Sequence, residues 1–439
     1  MAPIVVKQKM QRDAASKMKI IVVGAGLGGL GAAISLLLAG HDVEVFEAAS
    51  EIAEVGAGIQ ILPNSSRVLQ SWGMHDMLDQ YATKPKQVNM LGWKGNVISS
   101  MDFSASAAKY PGTFYWDFHR ANLHNCLLDR TVQLGAKIKV NARVSDVRVH
   151  EDGETAMVLL QNGEQHVADL VVGADGINSH LREIMLGHED PPVLTGDLAY
   201  RLLLSTKDML KDPELAPLVT NPQVNYWLGP DAHAVNYVLR GGELFNMVLL
   251  VPDDMPAGAN TLAGNVEEMR ALYKDWDPRI PKLLALCESV YKWRLCIRPG
   301  MEAWSHPSGA FTMLGDAVHA TLPYLASGAG MSLEDGAILG ELFSRRTTQS
   351  KSELLALYQK IRAPRTEMVV ERGNRQQYLY HLHDGPEQRE RDRIMQAGEE
   401  GDALAWKDGR FAEGLLGWCC EKEVDKYWPA CEEKVQSRL

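Results

Sequence analysis

An apolar, β-branched run at residues 19–23 (KIIVV) breaks directly into GAGLGG at 24–29, and no other junction constrains the fold of this chain as strongly. Gly24, Gly26 and Gly29 form a GxGxxG spacing in which each glycine has its own task. The first permits a tight turn, the second lets backbone approach a pyrophosphate, and the third lets a helix pack close to a strand. Residues 30–39 then read as a helix of small and aliphatic side chains stopped by Gly40, residues 41–46 alternate as a second strand, and Glu47 closes it. That order predicts a βαβ unit whose helix N-terminus offers free N–H groups to a phosphate. A carboxylate at Glu47 can accept hydrogen bonds from an adenosine ribose and disfavours a 2′-phosphate, which leaves NAD or FAD as the dinucleotide.

Further along, residues 156–160 and 167–172 flank Gln-Asn-Gly-Glu, a hairpin signal. Between 191 and 298 the pattern changes, with strands at 236–239 and 244–251 about Gly241 and Gly242 predicting a second, mostly antiparallel sheet. A strand at 310–314, a Gly-Asp turn and a helix at about 329–343 return to the first pattern. From 354 onward the chain reads as charged helix, with Trp406, Trp418 and Trp428 packing the tail down. At 439 residues two or three domains are expected.

The charge balance, 45 Lys+Arg against 56 Asp+Glu with no basic block, argues against a nucleic-acid surface. Six cysteines show neither CxxC nor zinc spacing, so no metal site or disulfide scaffold is expected and a reducing compartment fits. No apolar run approaches the ~20 residues that a bilayer requires. Residues 1–17 lack a secretory core and read as a disordered extension. The chain ends in Ser437-Arg438-Leu439, one conservative change from a peroxisomal address, so peroxisome stands as a minority option beside cytoplasm.

Three more segments follow the glycine loop in order: DFHRANL at 117–123, DLVVGADG at 169–176, and LGDAVHATLP at 314–323 ahead of SGAGMSLED at 327–335. Together the four resemble the single-component FAD-dependent aromatic hydroxylases, the group of p-hydroxybenzoate and salicylate hydroxylases, and are most similar to the fungal salicylate-hydroxylase-like enzymes. The resemblance runs from about residue 18 to the C-terminus. It implies an α/β fold: a Rossmann-like FAD domain at 18–190 and 297–370, interrupted by a β-rich substrate domain at 191–296 and followed by a helical region at 371–439.

The resemblance also implies roles. Gly24, Gly26, Gly29 and Glu47 would hold the ADP half of FAD, Gly58 within GAGIQ at 56–60 would approach the flavin, and Arg120 would contact the cofactor. Asp316 would bind the ribityl chain, Asp175 would serve both FAD and the nicotinamide donor, and Ala329 and Gly330 would present backbone N–H groups to the flavin ring. A helix N-terminus there would stabilise negative charge on reduced flavin. Many relatives carry glutamine at the place of Ala329, which puts the substrate range in question.

Enzymes of this group take electrons from NADPH or NADH and react with O2 through a flavin hydroperoxide. That species is electrophilic, so the site needs a group favouring a phenolate. By resemblance Arg201 would hold the phenolate and Tyr237 would deprotonate or orient the substrate. The alternatives are a structural ion pair for Arg201 and a core position for Tyr237. Tyr226 and His233 are candidate pocket residues or satisfied core, and Pro323 shapes the substrate side or merely starts a helix. The expected substrate is a phenolic or heteroaromatic small molecule. Salicylate-type decarboxylative hydroxylation, dearomatising hydroxylation and indole epoxidation stay open, as do an FAD oxidase or dehydrogenase and a non-enzymatic relative of Rab GDP-dissociation inhibitors. Oligomeric state is not readable.

Overall fold

The first strand, Lys19–Val23, is central in a five-stranded parallel sheet ordered Phe311–Met313, Leu170–Gly173, Lys19–Val23, Asp42–Phe46, Lys137–Lys139. The fold is seen in a computed structural model that describes residues 4–52 and 57–436. Gly56 and Ser437-Arg438-Leu439 lie outside them. Ile20, Ile21 and Val22 are fully buried, as a strand covered on both faces requires, which explains its unbroken apolar run. Helix Leu27–Leu38 packs on this sheet against helix Gly328–Arg345. Their crossing is close at Gly340, where a Cβ would stand 2.0 Å from Ser35 Oγ.

The second sheet has eight strands, ordered Thr261–Gly264, Val290–Ile297, Val193–Ser205, Leu244–Pro252, Ala232–Leu239, Val224–Gly229, Gln87–Gly92, Val97–Asp102. All its pairs are antiparallel except Val224–Gly229 with Gln87–Gly92. The stretch 18–190 therefore lends residues 87–102 to the substrate-side sheet, a departure from the expected boundary. One face of this sheet carries Tyr200, Trp227 and Leu249 under helices Val266–Leu272 and Arg279–Ala285; the other faces the cofactor half and the C-terminal helices.

Two expectations are corrected. The run 167–172 is not one strand: Gln165–Ala168 closes the hairpin on Ala156–Leu160, and Leu170–Gly173 enters the parallel sheet. Asp169 divides them, its carboxylate accepting from the Lys19 N–H at 2.6 Å. Nor are residues 4–17 loose. They form no helix or strand, yet Met10 N–H donates to Leu38 O at 2.8 Å, Arg12 donates to the carbonyls of Ala39 and Phe343, and Lys7 pairs with Glu341 at 2.7 Å. Backbone and charge anchors of this kind leave no hydrophobic pattern to read.

In the tail, helix Lys351–Tyr380 runs straight through the expected boundary at 370, and Trp406, Trp418 and Trp428 are buried. No helix among the described residues is long and apolar enough to cross a membrane, and no cluster of three metal-ligating side chains occurs among them.

Candidate active site

The glycine loop divides its tasks as its spacing predicts. Gly24 has φ +107°, and a Cβ there would stand 2.3 Å from Ala174 O; at Gly29 it would stand 2.0 Å from Gly24 O. At Gly26 a Cβ meets nothing within 4 Å, so this position faces open space at the N-cap of helix Leu27–Leu38. A cavity of about 290 Å³ opens beside it, lined by Glu47, Arg143, Asp175 and Asn178 among others. Glu47 accepts from the N–H groups of Ala25 and Ala49, both at 2.8 Å, and so ties the loop to the end of the second strand. Asp175 accepts from Ser179 Oγ at 2.5 Å and Leu181 N–H at 3.0 Å, starting helix His180–Leu186; burial pushes its carboxyl up against the pull of these bonds.

Three elements converge farther along. Strand Gly58–Ile61 pairs antiparallel with Trp116–His119, which leads into helix Arg120–Gln133, and Arg120 N–H donates to Ala57 O at 2.8 Å. Asp316 is exposed on the short helix Asp316–His319. Ala329 and Gly330 lie in the first turn of helix Gly328–Arg345. Ser327 leaves that turn uncapped, because its hydroxyl donates to Leu325 O at 2.8 Å.

A buried ion network that sequence reasoning missed fixes this helix. Arg362 donates to Glu334 and to Asp335, both at 2.7 Å, Arg365 donates to Glu334 at 2.7 Å, and His319 meets Asp335 at 2.7 Å. Asp335 also accepts from the Gly315 N–H at 2.9 Å, which places the Gly-Asp turn. Burial alone would push Glu334 up, but Arg365 and Arg362 outweigh it and hold the carboxyl below its ordinary value; His319 and Arg362 do the same for Asp335. The signal was available as adjacent acids, Glu334 and Asp335, inside an otherwise small and apolar helix.

On the other side, one face of the eight-stranded sheet presents Arg201, Tyr226, His233 and Tyr237. Arg201 pairs with Val248, Val248 with Val235, Val235 with Tyr226, and Asn246 with Tyr237, and alternate residues on a strand share a face. Asn246 accepts from the Gly58 N–H at 2.8 Å. The Tyr237 ring presses against Gly58, where a Cβ would stand 2.5 Å from the ring and 2.6 Å from its hydroxyl. Burial and the nearby charge of Asp117 push the Tyr237 phenol up, and Arg201 opposes them. Burial pulls Arg201 down, the like charge of Arg120 adds to this, and Tyr237 opposes. Arg120, Arg201 and Tyr237 thus share one electrostatic neighbourhood.

Two of the pocket candidates sit deeper. His233 is fully buried, bonded to His381 (Nδ1 to Nε2, 2.7 Å) and edge-on to Tyr324 and Tyr380; burial and His381 hold it well below its ordinary value. Tyr226 joins the same aromatic cluster. Pro323 is exposed at the start of the turn Pro323–Leu325.

Sequence reasoning also passed over Asp117, which stands opposite Gln60, takes its amide at 3.0 Å and is pushed up to about 8 by burial. Around it Asp117 Oδ2, His119 Nδ1, Asn246 Nδ2 and Arg201 Nε are buried without a hydrogen-bond partner among the described residues. The orphaned atoms of His119 and Asn246, an uncapped helix N-terminus and the open face of Gly26 are what a polar dinucleotide with a planar ring would satisfy. The residues present fit FAD.

The comparisons agree with this geometry. Residues 17–373 match the family described as FAD binding domain. The FAD-dependent monooxygenase OpS4 of Beauveria bassiana is 41% identical over 91% of this chain and 95% of its own. A 3-amino-4-hydroxybenzoate 2-monooxygenase of Streptomyces platensis is 33% identical over 89% of this chain and 96% of its own. A solved salicylate hydroxylase substrate complex shares the fold at a TM-score of 0.77 and 22% identity, covering 94% of this chain and 98% of that one. The chain belongs to the FAD-binding family of flavoprotein monooxygenases.

Proposed function

We propose that this protein is an NAD(P)H- and O2-dependent FAD monooxygenase that hydroxylates a phenolic or heteroaromatic small molecule. The observation that carries the proposal is the placing of Arg201 and Tyr237 on one sheet face, with the Tyr237 ring pressed against Gly58, whose neighbour Ala57 accepts from the Arg120 N–H. Gly24, Gly26, Gly29 and Glu47 would hold the ADP half. Gly58, Arg120, Asp175, Asp316, Ala329 and Gly330 would hold the remainder. When bound, FAD supplies the redox chemistry, passing electrons from NAD(P)H to O2 and delivering one oxygen atom to the ring.

The protein's part is binding and electrostatics. Arg201 would offer a cation that lowers the energy of a substrate phenolate, and that anion would in turn favour its charged form. Tyr237 orients the ring oxygen and exchanges a proton with it. The N-terminal turn of helix Gly328–Arg345 brings partial positive charge to the place where reduced cofactor is anionic. The relatives named for 3-amino-4-hydroxybenzoate support an aromatic ring bearing an ionisable oxygen. Arg201 would serve a ring carboxylate equally well, so salicylate-type and dearomatising hydroxylation are separated by their products.

The test is stopped-flow oxidation of NADH and NADPH by FAD-loaded protein with a panel of phenols and salicylates, with product masses. Flavin reduction that accelerates with one compound, and a product heavier by one oxygen, are expected; loss of carbon dioxide identifies the salicylate route. Hydrogen peroxide alone across the panel would mean that the substrate lies outside it or that the protein is an oxidase. Failure to bind FAD would overturn the reading.

A further inference from the structure

Strand Trp116–His119 is wholly buried, and Asp117 is its one acidic side chain, 1% exposed. Directly opposed residues of an antiparallel pair share a face, so Asp117 lies on the face of Gln60, and Gly58 lies on that face two residues earlier. This is the face against which the Tyr237 ring rests. Asp117 Oδ1 is occupied by the Gln60 amide at 3.0 Å, while Oδ2 has no partner among the described residues. The charge of Asp117 is felt by both Tyr237 and Tyr226, raising each phenol. The groups of the neighbouring elements are Gln60, His119 and Arg120 on the cofactor side, with Tyr226, Tyr237 and Arg201 on the sheet side. A half-satisfied buried carboxyl costs about 1–3 kcal/mol, so Oδ2 offers a place to a water or another donor.

We propose that Asp117 is the proton acceptor behind Tyr237: a positioning residue that takes the substrate's phenolic proton through the Tyr237 hydroxyl and one water. This rests on the hydroxylase reading above. Tyr237 and Asp117 make no direct hydrogen bond, so the water completes the path. The substrate O–H proton passes to the Tyr237 oxygen as the Tyr237 proton passes to the water, and a water proton passes to Oδ2. No electrons are transferred. One negative charge moves from the Asp117 carboxylate to the substrate oxygen beside Arg201, and Tyr237 ends neutral, as it began. An acceptor held near about 8 is a stronger base than an ordinary carboxylate and becomes available as the pH rises through that value.

Two measurements on the FAD-loaded protein decide it. Infrared difference titration from about pH 6 to about pH 10 should show a protonated carboxyl that ionises near about 8, is absent in Asp117→Asn, and shifts upward in Tyr237→Phe, which removes the donor behind the water. A carboxyl already ionised at about pH 6, or a midpoint that Tyr237→Phe leaves in place, overturns the proposal. In turnover, Asp117→Asn should lower kcat/KM for 3-hydroxybenzoate at least about tenfold and flatten its rising alkaline limb. The same variant should leave 3-hydroxy-4-nitrobenzoate, whose ring oxygen is already ionised, within about twofold. Equal losses on both compounds would mean a structural role and overturn the proposal. Failure of the hydroxylase reading would appear separately, as wild-type NAD(P)H oxidation that no phenol stimulates, and the infrared titration would still decide Asp117.

Discussion

Arg362→Met removes the centre of the buried network under helix Gly328–Arg345 while keeping most of the side-chain volume. Three hydrogen bonds go: to Asp335 at 2.7 Å, to Glu334 at 2.7 Å and to Met331 O at 3.1 Å. Breaking a fully buried ion pair from one side costs about 3–5 kcal/mol, because the carboxylate left behind has lost its compensation. Here neither acid is left bare: Glu334 keeps Arg365 and Asn64, and Asp335 keeps His319 and the Gly315 N–H. The loss should therefore lie at the low end, about 3 kcal/mol. Both carboxyls lie below their ordinary values in the folded state. Their contribution is thus complete above the unfolded values near about 4 and fades as the pH falls through the folded ones. The gap between wild type and variant should therefore narrow as the pH falls below about 4. The assay is urea unfolding of the FAD-loaded protein, followed by tryptophan and flavin fluorescence, at neutral pH and in acid. A loss under about 1 kcal/mol with an unchanged slope would refute the reasoning, since a network worth so little could not be what holds the helix N-terminus in place.

Gly26→Ala should leave the unfolding midpoint of the apoprotein unchanged, because the new methyl meets nothing, yet weaken FAD at least about tenfold by titration; Gly29→Ala should instead destabilise the apoprotein, by about 1–3 kcal/mol. Arg201→Ala should lower kcat/KM for the phenolic substrate about a hundredfold while FAD affinity stays within about twofold, and equal losses in both would assign Arg201 to the cofactor. His41 is buried, accepts from the Met18 N–H at 3.2 Å and is held at about 4 by burial. Its folded value is below the unfolded one of about 6.5, so stability falls as the pH drops from about 6.5 to about 4, by about 3 kcal/mol in all. Thermal midpoints across that window should show the slope, and His41→Gln should flatten it.

The cofactor half was legible because each of its steps leaves a local mark. A continuous apolar run signals a strand buried on both faces, the glycines sit where a Cβ would collide, and Glu47 ends a strand. Arg201 and Tyr237 were found by resemblance, and only pairing explains why they meet. An intervening strand, Leu244–Pro252, sets their register, and no sequence separation encodes that. The network of Glu334, Asp335, Arg362 and Arg365 depends on two helices crossing, and the anchoring of residues 4–17 on backbone carbonyls 27 to 332 positions away. Strand Gln87–Gly92 forms a local hairpin with Val97–Asp102, but what carries it into the second sheet is Val224–Gly229, a partner far along the chain that no local pattern reveals.

The charges of the site argue for the kind of molecule it takes. Arg201 lies in the field of Arg120, and that like charge, together with burial, disfavours its protonated form. Like charges repel, and an anion beside Arg201 would offset this cost. On the sheet face Tyr237 lies two residues beyond the cross-strand row of Arg201, and Arg201 Nε has no hydrogen-bond partner among the described residues. A neutral aromatic ligand would leave that atom unsatisfied and the repulsion in place. A phenolate or a ring carboxylate removes both costs, so affinity for a substrate series should follow the acidity of its ring oxygen in the wild type, and this dependence should vanish in Arg201→Ala.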